Sequence, residues 1–438
     1  MHVNLLHSSP PGPLLGGKKL AILAAGGPAP GINAVVGAAT IRGCLSGIEV
    51  LGIKDGFRHL MRGELRETIP LGIGNTSRIH FRGGSFLGVS RGSPVGDPAA
   101  MEQTLRSLEA LDVGGLITIG GNGTAFVAAK LAEAAQGRLA VVHVPKTIDN
   151  DMALPDGVDS FGFQTARHIG VNLVENLMVD ARTTGRWYFV VAQGRKAGHL
   201  ALAVGKAAGA SVTLIPEEFQ DAATGRGTVP LAVIVDTLAG AILKRLAHGR
   251  PDGVAVIAEG ISEVLDLQEL SSHADLPRDA LGNLANAQIP VGDILRNLVG
   301  RRLKGLGVPT TIVAKEIGYE LRCADPIPFD MEYSRDLGYL AAYALLHGHR
   351  SVVVSLQGGR FTPIPLAELL GDGVASPVRR VDITADRYRI AWAYMLRMKR
   401  ADFDEPEATA EIAAAAKLAP EQLLAEFGHL RRYVVDAH

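Results

Sequence analysis

The stretch "LITIGGNGTAF", residues 116–126, decides how the chain is read. Four apolar or β-branched residues run into two glycines, then Asn122, Gly123 and Thr124, and then a segment with helical character. That order is a strand ending in a glycine-rich turn at the mouth of a helix, where backbone amides and the helix dipole favour a phosphate. Gly120, Gly121 and Gly123 permit a bare backbone cradle, and Thr124 suits the start of the helix that follows. The plain alternative is an ordinary strand–helix turn. Phosphate chemistry also wants a carboxylate near Mg²⁺, and this turn carries an asparagine instead.

The same pattern recurs along the chain. β-rich runs at 19–27, 114–121, 139–147, 186–195, 211–218, 253–260 and 351–359 alternate with helical patterns at 33–42, 125–136, 162–181, 198–208 and 229–248. Near-continuous apolar strands alternating with helices predict parallel sheets covered on both faces. The expected fold class is α/β, with two open doubly wound lobes. In such sheets ligands sit beyond the carboxyl ends of the strands, where this sequence places glycine turns with charged or amide side chains. Residues 1–17 read as a Pro/Gly-rich, poorly ordered lead-in, and the region from about residue 401 as amphipathic helices for packing or oligomerisation.

Composition narrows the function. The 438 residues are 47% apolar and 20% charged, which describes a globular chain with room for more than one core. A formal net charge of −1 argues against nucleic acid as a partner. Two cysteines, Cys44 and Cys323, give neither a disulfide framework nor a zinc motif and suit a reducing cytoplasm. No apolar run reaches membrane-spanning length, and the expected location is cytoplasmic with no membrane partner.

Further strand ends carry chemistry. In "AAGGPAPGINAVV", residues 24–36, Gly26, Gly27 and Gly31 allow a tight turn before a helix. "VPKTIDND", residues 144–151, is the strongest local signal. Asp149 and Asp151 flank Asn150, and in an extended chain residues two apart point the same way. One carboxylate would take a proton from an attacking hydroxyl while the other orients a metal or the phosphoryl group. Lys146 supplies a compact positive charge and Thr147 a hydroxyl. In "GRWYFVVAQGRKAGH", residues 185–199, Arg186 and Arg195 bracket a strand, and arginine suits multi-point contact with phosphate. "RGGSFLGVSRG", residues 82–92, reads as a lid carrying Arg82 and Arg91, and Glu259 ends another strand where it would accept sugar hydroxyls.

Together "GGPAPGIN", "GGSFLGVSR", "GGNGT", "PKTIDND", "QGRKAGHLAL", "LIPEE" and "AEG" stand in the order found in the phosphofructokinase family, which the chain resembles from about residue 18 to 394. The resemblance implies a phosphoryl-donor lobe at 18–158 plus about 334–395, a sugar-phosphate lobe at 159–333, an active site in the cleft, and a helical extension at 396–438. It implies Mg²⁺-dependent transfer from ATP or pyrophosphate to the 1-hydroxyl of fructose 6-phosphate by a homodimer or homotetramer. Asp149 matches the catalytic base, Asp151 its partner acid, and Thr147 the hydroxyl near the attacking oxygen. Gly27, Arg91 and the loop Gly121, Asn122, Gly123 and Thr124 match positions around the donor, with Lys146. Arg195 matches the arginine of the family's M-G-R motif, which makes Gln193 and Gly194 substrate-side positions. Arg186 and Arg322 resemble arginines that reach the sugar 6-phosphate, often from a neighbouring subunit. Glu259, Tyr319 and Arg335 are further substrate contacts implied by the resemblance.

Three positions depart from the family pattern. Pro28 stands in place of an aspartate, Gln193 in place of the methionine of M-G-R, and Asn122 in place of an aspartate that helps hold the metal. An amide is a weaker ligand for a hard cation, so either Asp149 and Asp151 with the donor's oxygens hold the metal, Asn122 adding at most a weak ligand, or the protein is catalytically impaired. Gly123 leaves open the space a nucleotide's α-phosphate needs, so the expected donor is ATP, and Lys146, typical of pyrophosphate users but present also in ATP-using long branches, makes a pyrophosphate-dependent phosphotransferase the alternative. A kinase of another sugar phosphate, such as sedoheptulose 7-phosphate, and a binding-only regulatory relative are the alternatives. NAD and diacylglycerol kinases share a similar glycine loop but not "PKTIDND".

Overall fold

The computed structural model describes residues 18–220, 227–272, 289–370 and 377–434, and the expected lead-in at 1–17 lies outside the described residues. The chain divides into two units, Met1–Ala166 with Tyr319–Arg379, and Arg167–Gly318 with Arg380–His438. Each has its own sheet and its own core.

In the first unit the strand Lys19–Ala24 explains the layering. Leu20, Ile22 and Ala24 enter one apolar cluster, while Ala21 and Leu23 enter another. A strand buried on both faces must be apolar at every position, which is why it reads as a continuous run. The sheet has seven strands in the order Ile364–Pro365, Val352–Val353, Ala140–Pro145, Val113–Gly120, Lys19–Ala24, Val50–Ile53 and Thr68–Leu71. Thr68–Leu71 and Ile364–Pro365 pair antiparallel to their neighbours, and the strands between are parallel. From Lys19–Ala24 the chain continues to one side of the sheet, and from Val113–Gly120 to the other. Their carboxyl ends flank the topological switch point, where an open α/β sheet receives its ligand. Helix Ile32–Leu45 packs on helix Pro328–Leu346, and a Cβ at Gly338 would lie 2.4 Å from the Val35 carbonyl oxygen.

The second unit has four parallel strands in the order Val212–Leu214, Gly253–Ala258, Trp187–Ala192 and Ile312–Ile317. Helices Leu231–Ala247 and Val291–Gly305 line its core with Trp187 and Phe189. The C-terminal helices Arg400–Asp404, Pro406–Ala415 and Pro420–Phe427 are built into that core through Phe403, Ile412, Leu423 and Phe427. Arg397 pairs with Glu218, their side chains 5% and 4% exposed, so neither charge has water to fall back on. Removing one partner of such a pair strands the other in a low-dielectric site.

Two expectations change. The run 351–359 is not one strand: Val352–Val353 joins the large sheet, and Leu356–Gln357 forms a hairpin with Arg360–Phe361. The turn is Gly358–Gly359, both with positive φ. The strand Ile312–Ile317 lies outside the runs anticipated from sequence, because Lys315 and Glu316 are exposed at the sheet edge and interrupt the apolar pattern. Among the described residues no helix is long and apolar enough to cross a membrane, and both cysteines are free thiols.

Phe427 is fully buried in the second core with the Arg302 guanidinium 5.0 Å from its ring. Phe427→Ala should destabilise the protein by about 3–5 kcal/mol in denaturant unfolding. A loss below about 1 kcal/mol would mean that the C-terminal helices rest on that core without completing it.

Candidate active site

Three turns meet at the carboxyl ends of the central strands of the first unit. The Val113–Gly120 strand turns at Gly121 into helix Asn122–Ala134. A Cβ at Gly120 would lie 2.2 Å from Thr124 Oγ1, so the turn closes only over glycine. The Gly120 carbonyl accepts from the Lys146 amide at 2.9 Å and from His143 Nε2 at 3.0 Å. Since a carbonyl only accepts, the His143 proton sits on Nε2, and Nδ1 accepts from Thr118 Oγ1 at 2.9 Å. Burial pushes the imidazole down to about 3, so His143 is neutral at working pH. Sequence reading did not single it out, because a histidine inside an apolar strand looks like core.

Lys146 reaches the first turn. Its ammonium donates to the Gly27 carbonyl and lies 3.8 Å from where a Cβ of Gly26 would stand, as does Thr124 Oγ1. Arg322 Nη1 lies 3.7 Å from the corresponding point at Gly27. Burial first, and the Arg322 guanidinium second, push the Lys146 ammonium down to about 8, against the opposing pull of Asp149 and Asp151. The Gly26 amide donates to the Ser90 carbonyl at 2.8 Å, which sets exposed Arg91 beside this turn. Buried Asn33 holds the 82–92 loop, donating to the Arg82 and Gly83 carbonyls at 3.0 and 3.2 Å and accepting from the Phe86 amide at 2.7 Å.

The acidic segment is not extended. Asn150 has φ 54°, left-handed backbone that asparagine tolerates better than most residues. The alternation expected to aim Asp149 and Asp151 alike therefore does not operate, and hydrogen bonds set them instead. The Asp149 amide donates to Thr147 Oγ1 at 3.0 Å. Asp151 accepts from Asn122 Nδ2 at 3.1 Å. Asn122 thus turns its amide nitrogen toward a carboxylate, an arrangement that ties the glycine turn to the acidic segment. Among the described residues no three His, Cys, Asp or Glu side chains cluster as a ready-made metal cage. Two carboxylates whose remaining partners are phosphate oxygens and water is how Mg²⁺ is commonly held, and Asp149 and Asp151 fit that.

The structure therefore brings Gly27, Arg91, Gly121, Asn122, Gly123, Thr124, Lys146, Thr147, Asp149, Asp151 and Arg322 to one end of one sheet. A Cβ at Gly123 would meet nothing within 4 Å. Tyr319 is 79% exposed, and the Arg322 guanidinium lies 5.6 Å from its ring. Arg335 stands exposed on helix Pro328–Leu346, with Asp336 as a charged neighbour.

In the second unit, Gln193, Gly194 and Arg195 follow the strand Trp187–Ala192, and Glu259 follows Gly253–Ala258. The Gly194 amide donates to Glu259 Oε2 at 3.3 Å, and the Gly260 amide donates to the Gly194 carbonyl at 3.1 Å. Gln193 packs on Gly318, where a Cβ would come within 2.2 Å of its Cδ. Arg195 is exposed. Arg186 is not with this group: it precedes the same strand, roughly 20 Å away along six residues, and lies 3.8 Å from Asp180. Glu217 of "LIPEE" accepts from the Gly198 amide at 2.9 Å and the Val381 amide at 3.0 Å, steadying the start of the helix after Arg195. Burial raises its carboxyl above the usual range.

Comparison with known proteins agrees with this layout. The phosphofructokinase family model matches residues 19–345. A pyrophosphate–fructose 6-phosphate 1-phosphotransferase of Thermotoga maritima is 46% identical, over 94% of this chain and 98% of its own length. One from Naegleria fowleri is 40% identical, over 94% of this chain and 95% of its own. The crystal structure of a pyrophosphate-dependent phosphofructokinase from Nitrosospira multiformis shares the fold, with a TM-score of 0.63 at 17% identity over 92% of each chain. With glycine turns, a lysine and paired acids at the carboxyl ends of its central strands, and a family match across most of its length, this chain belongs to the phosphofructokinase family.

Proposed function

We propose that the protein transfers a phosphoryl group from pyrophosphate to the 1-hydroxyl of fructose 6-phosphate, giving fructose 1,6-bisphosphate. The observation that carries this reading is Lys146, buried at the Gly26–Gly27 turn and in the field of Asp149 and Asp151. It puts a cation for donor oxygens next to a carboxylate for the acceptor's proton. The relatives at 46% and 40% identity, both named for pyrophosphate, support the choice of donor.

Asp149 takes the proton of the sugar's 1-hydroxyl as that oxygen attacks in line, with the Thr147 hydroxyl beside it. Lys146 and the amides of the Gly26–Gly27 and Gly121–Thr124 turns stabilise charge spread over the transferring oxygens. Asp151 and Asp149 would hold Mg²⁺, which when bound neutralises donor charge. Arg322 binds the sugar's phosphate, and the family resemblance gives Gln193, Arg195 and Glu259 as further substrate-side residues. The distance of Arg186 from the Glu259 group supports its serving another subunit's sugar site, in a homodimer or homotetramer. A second reading, ATP as donor, is favoured by the open space at Gly123.

Two experiments test this. A coupled assay of fructose 1,6-bisphosphate formation should give turnover with pyrophosphate. Turnover with ATP alone would establish the second reading, in which case Gly123→Asp should abolish it, and turnover with neither donor would overturn both. The pH profile tests Lys146. Its charged form, which binds the donor, is present below about 8 and lost above it. The kcat/KM for pyrophosphate, which reports the free enzyme, should fall about tenfold per pH unit above that value. Lys146→Arg should move the fall to higher pH, and a wild-type profile flat through about pH 9 would contradict the role.

A further inference from the structure

The segment carrying Asp149 and Asp151 is held from behind by an arginine far along the chain. Arg379 donates from Nε and Nη2 to the Asn150 carbonyl at 3.2 and 3.1 Å, and from Nη1 to the Val158 carbonyl at 2.7 Å. Nη2 also meets Asn150 Oδ1. Its own amide donates to the Asp151 carbonyl at 2.9 Å, and Val378 forms an antiparallel bridge with Met152. One residue thus grips the two peptides that flank Asp151, through the Asn150 and Asp151 carbonyls, and also the loop that returns beneath them.

The grip falls where the backbone needs it. Asn150 is the left-handed residue between the two acids, a backbone conformation that its surroundings must hold. The Asn150 side chain is occupied in the same network, donating to Asp159 at 2.7 Å and accepting from the Ser160 amide at 3.1 Å. Ser160 Oγ donates to the Thr147 carbonyl at 2.8 Å, and the Tyr333 hydroxyl to the Asp159 carbonyl at 3.0 Å. Only a planar, multi-donor cation spans two carbonyls and an amide oxygen at once, and a lysine offers a single point. Arg379 lies beyond residue 345, where the match to the family model ends.

We infer that Arg379 is a positioning residue for phosphoryl transfer, fixing the left-handed turn at Asn150 and through it the aim of the Asp149 and Asp151 carboxylates. The inference rests on the reading of Asp149 as the base. Because Arg379 binds the backbone of that segment, its loss should impair the step that depends on the aim of the acids more than the binding of either substrate. A displacement of the order of 1 Å costs about 10²-fold in rate.

The test compares wild type, Arg379→Lys and Arg379→Ala in kcat, in KM for fructose 6-phosphate and for donor, and in thermal midpoint, with and without added guanidinium. The expected result is a kcat lower by about 10²-fold in both variants, with both KM values within about threefold of wild type. Added guanidinium should restore part of the kcat of Arg379→Ala and leave Arg379→Lys unchanged. If the alanine variant fails to fold, the lysine variant, which keeps the charge and loses the fork, decides alone. A wild-type kcat in Arg379→Lys, or KM rising with kcat preserved, would overturn the inference. Inactivity of the wild type with every donor would instead overturn the reading on which it rests.

Discussion

The Gly120 carbonyl oxygen accepts two hydrogen bonds, from the Lys146 amide and from the neutral His143 imidazole, and the first unit's site hangs on that atom. Parallel strands Val113–Gly120 and Ala140–Pro145 run side by side, so the turn after one and the segment after the other leave the sheet together. The shared carbonyl fixes their mutual distance at its root. From there Lys146 reaches across to the Gly27 carbonyl, and Asn122 reaches Asp151. Three chain segments distant in sequence become one surface because each leaves the carboxyl end of a buried strand.

Electrostatics follow from the same packing. Lys146 is shielded from water, and its nearest charges are a guanidinium of like sign and two carboxylates of opposite sign. A buried ammonium in that setting sheds its proton far more easily than a surface lysine. An incoming anion would restore the balance, which makes the lysine a site for negative charge. In the second unit, the Glu217 carboxylate accepts two backbone amides near the helix that follows Arg195, and the adjacent Glu218 is paired with buried Arg397. Val381 and Arg397, on the chain leading into the C-terminal helices, therefore brace the Glu217–Glu218 turn that holds the start of that helix.

Much of this was legible in the sequence, for a definite reason. A parallel strand buried on both faces leaves an apolar run, and its ligand-facing end leaves glycine or a polar cluster, so "GGPAPGIN", "GGNGT" and "PKTIDND" announce both the sheet and its working edge. What was hidden depends on tertiary contact. The extended reading of "TIDND" failed because Asn150 adopts left-handed backbone under restraint from residues 159, 160 and 379. His143 was invisible because its partners, Thr118 and Gly120, lie on the neighbouring strand. The edge strand Ile312–Ile317 escaped notice because exposed positions need not be apolar. Arg379 carries no local motif, and only the fold reveals what it grips.

The central claim is that the segment gripped in this way supplies the proton acceptor. The most direct measurement is turnover of Asp149→Ala beside calorimetric binding of fructose 6-phosphate. If Asp149 is the base, turnover falls by about 10²–10⁴-fold while the sugar phosphate binds nearly as tightly as in wild type. Turnover close to wild type would contradict the account.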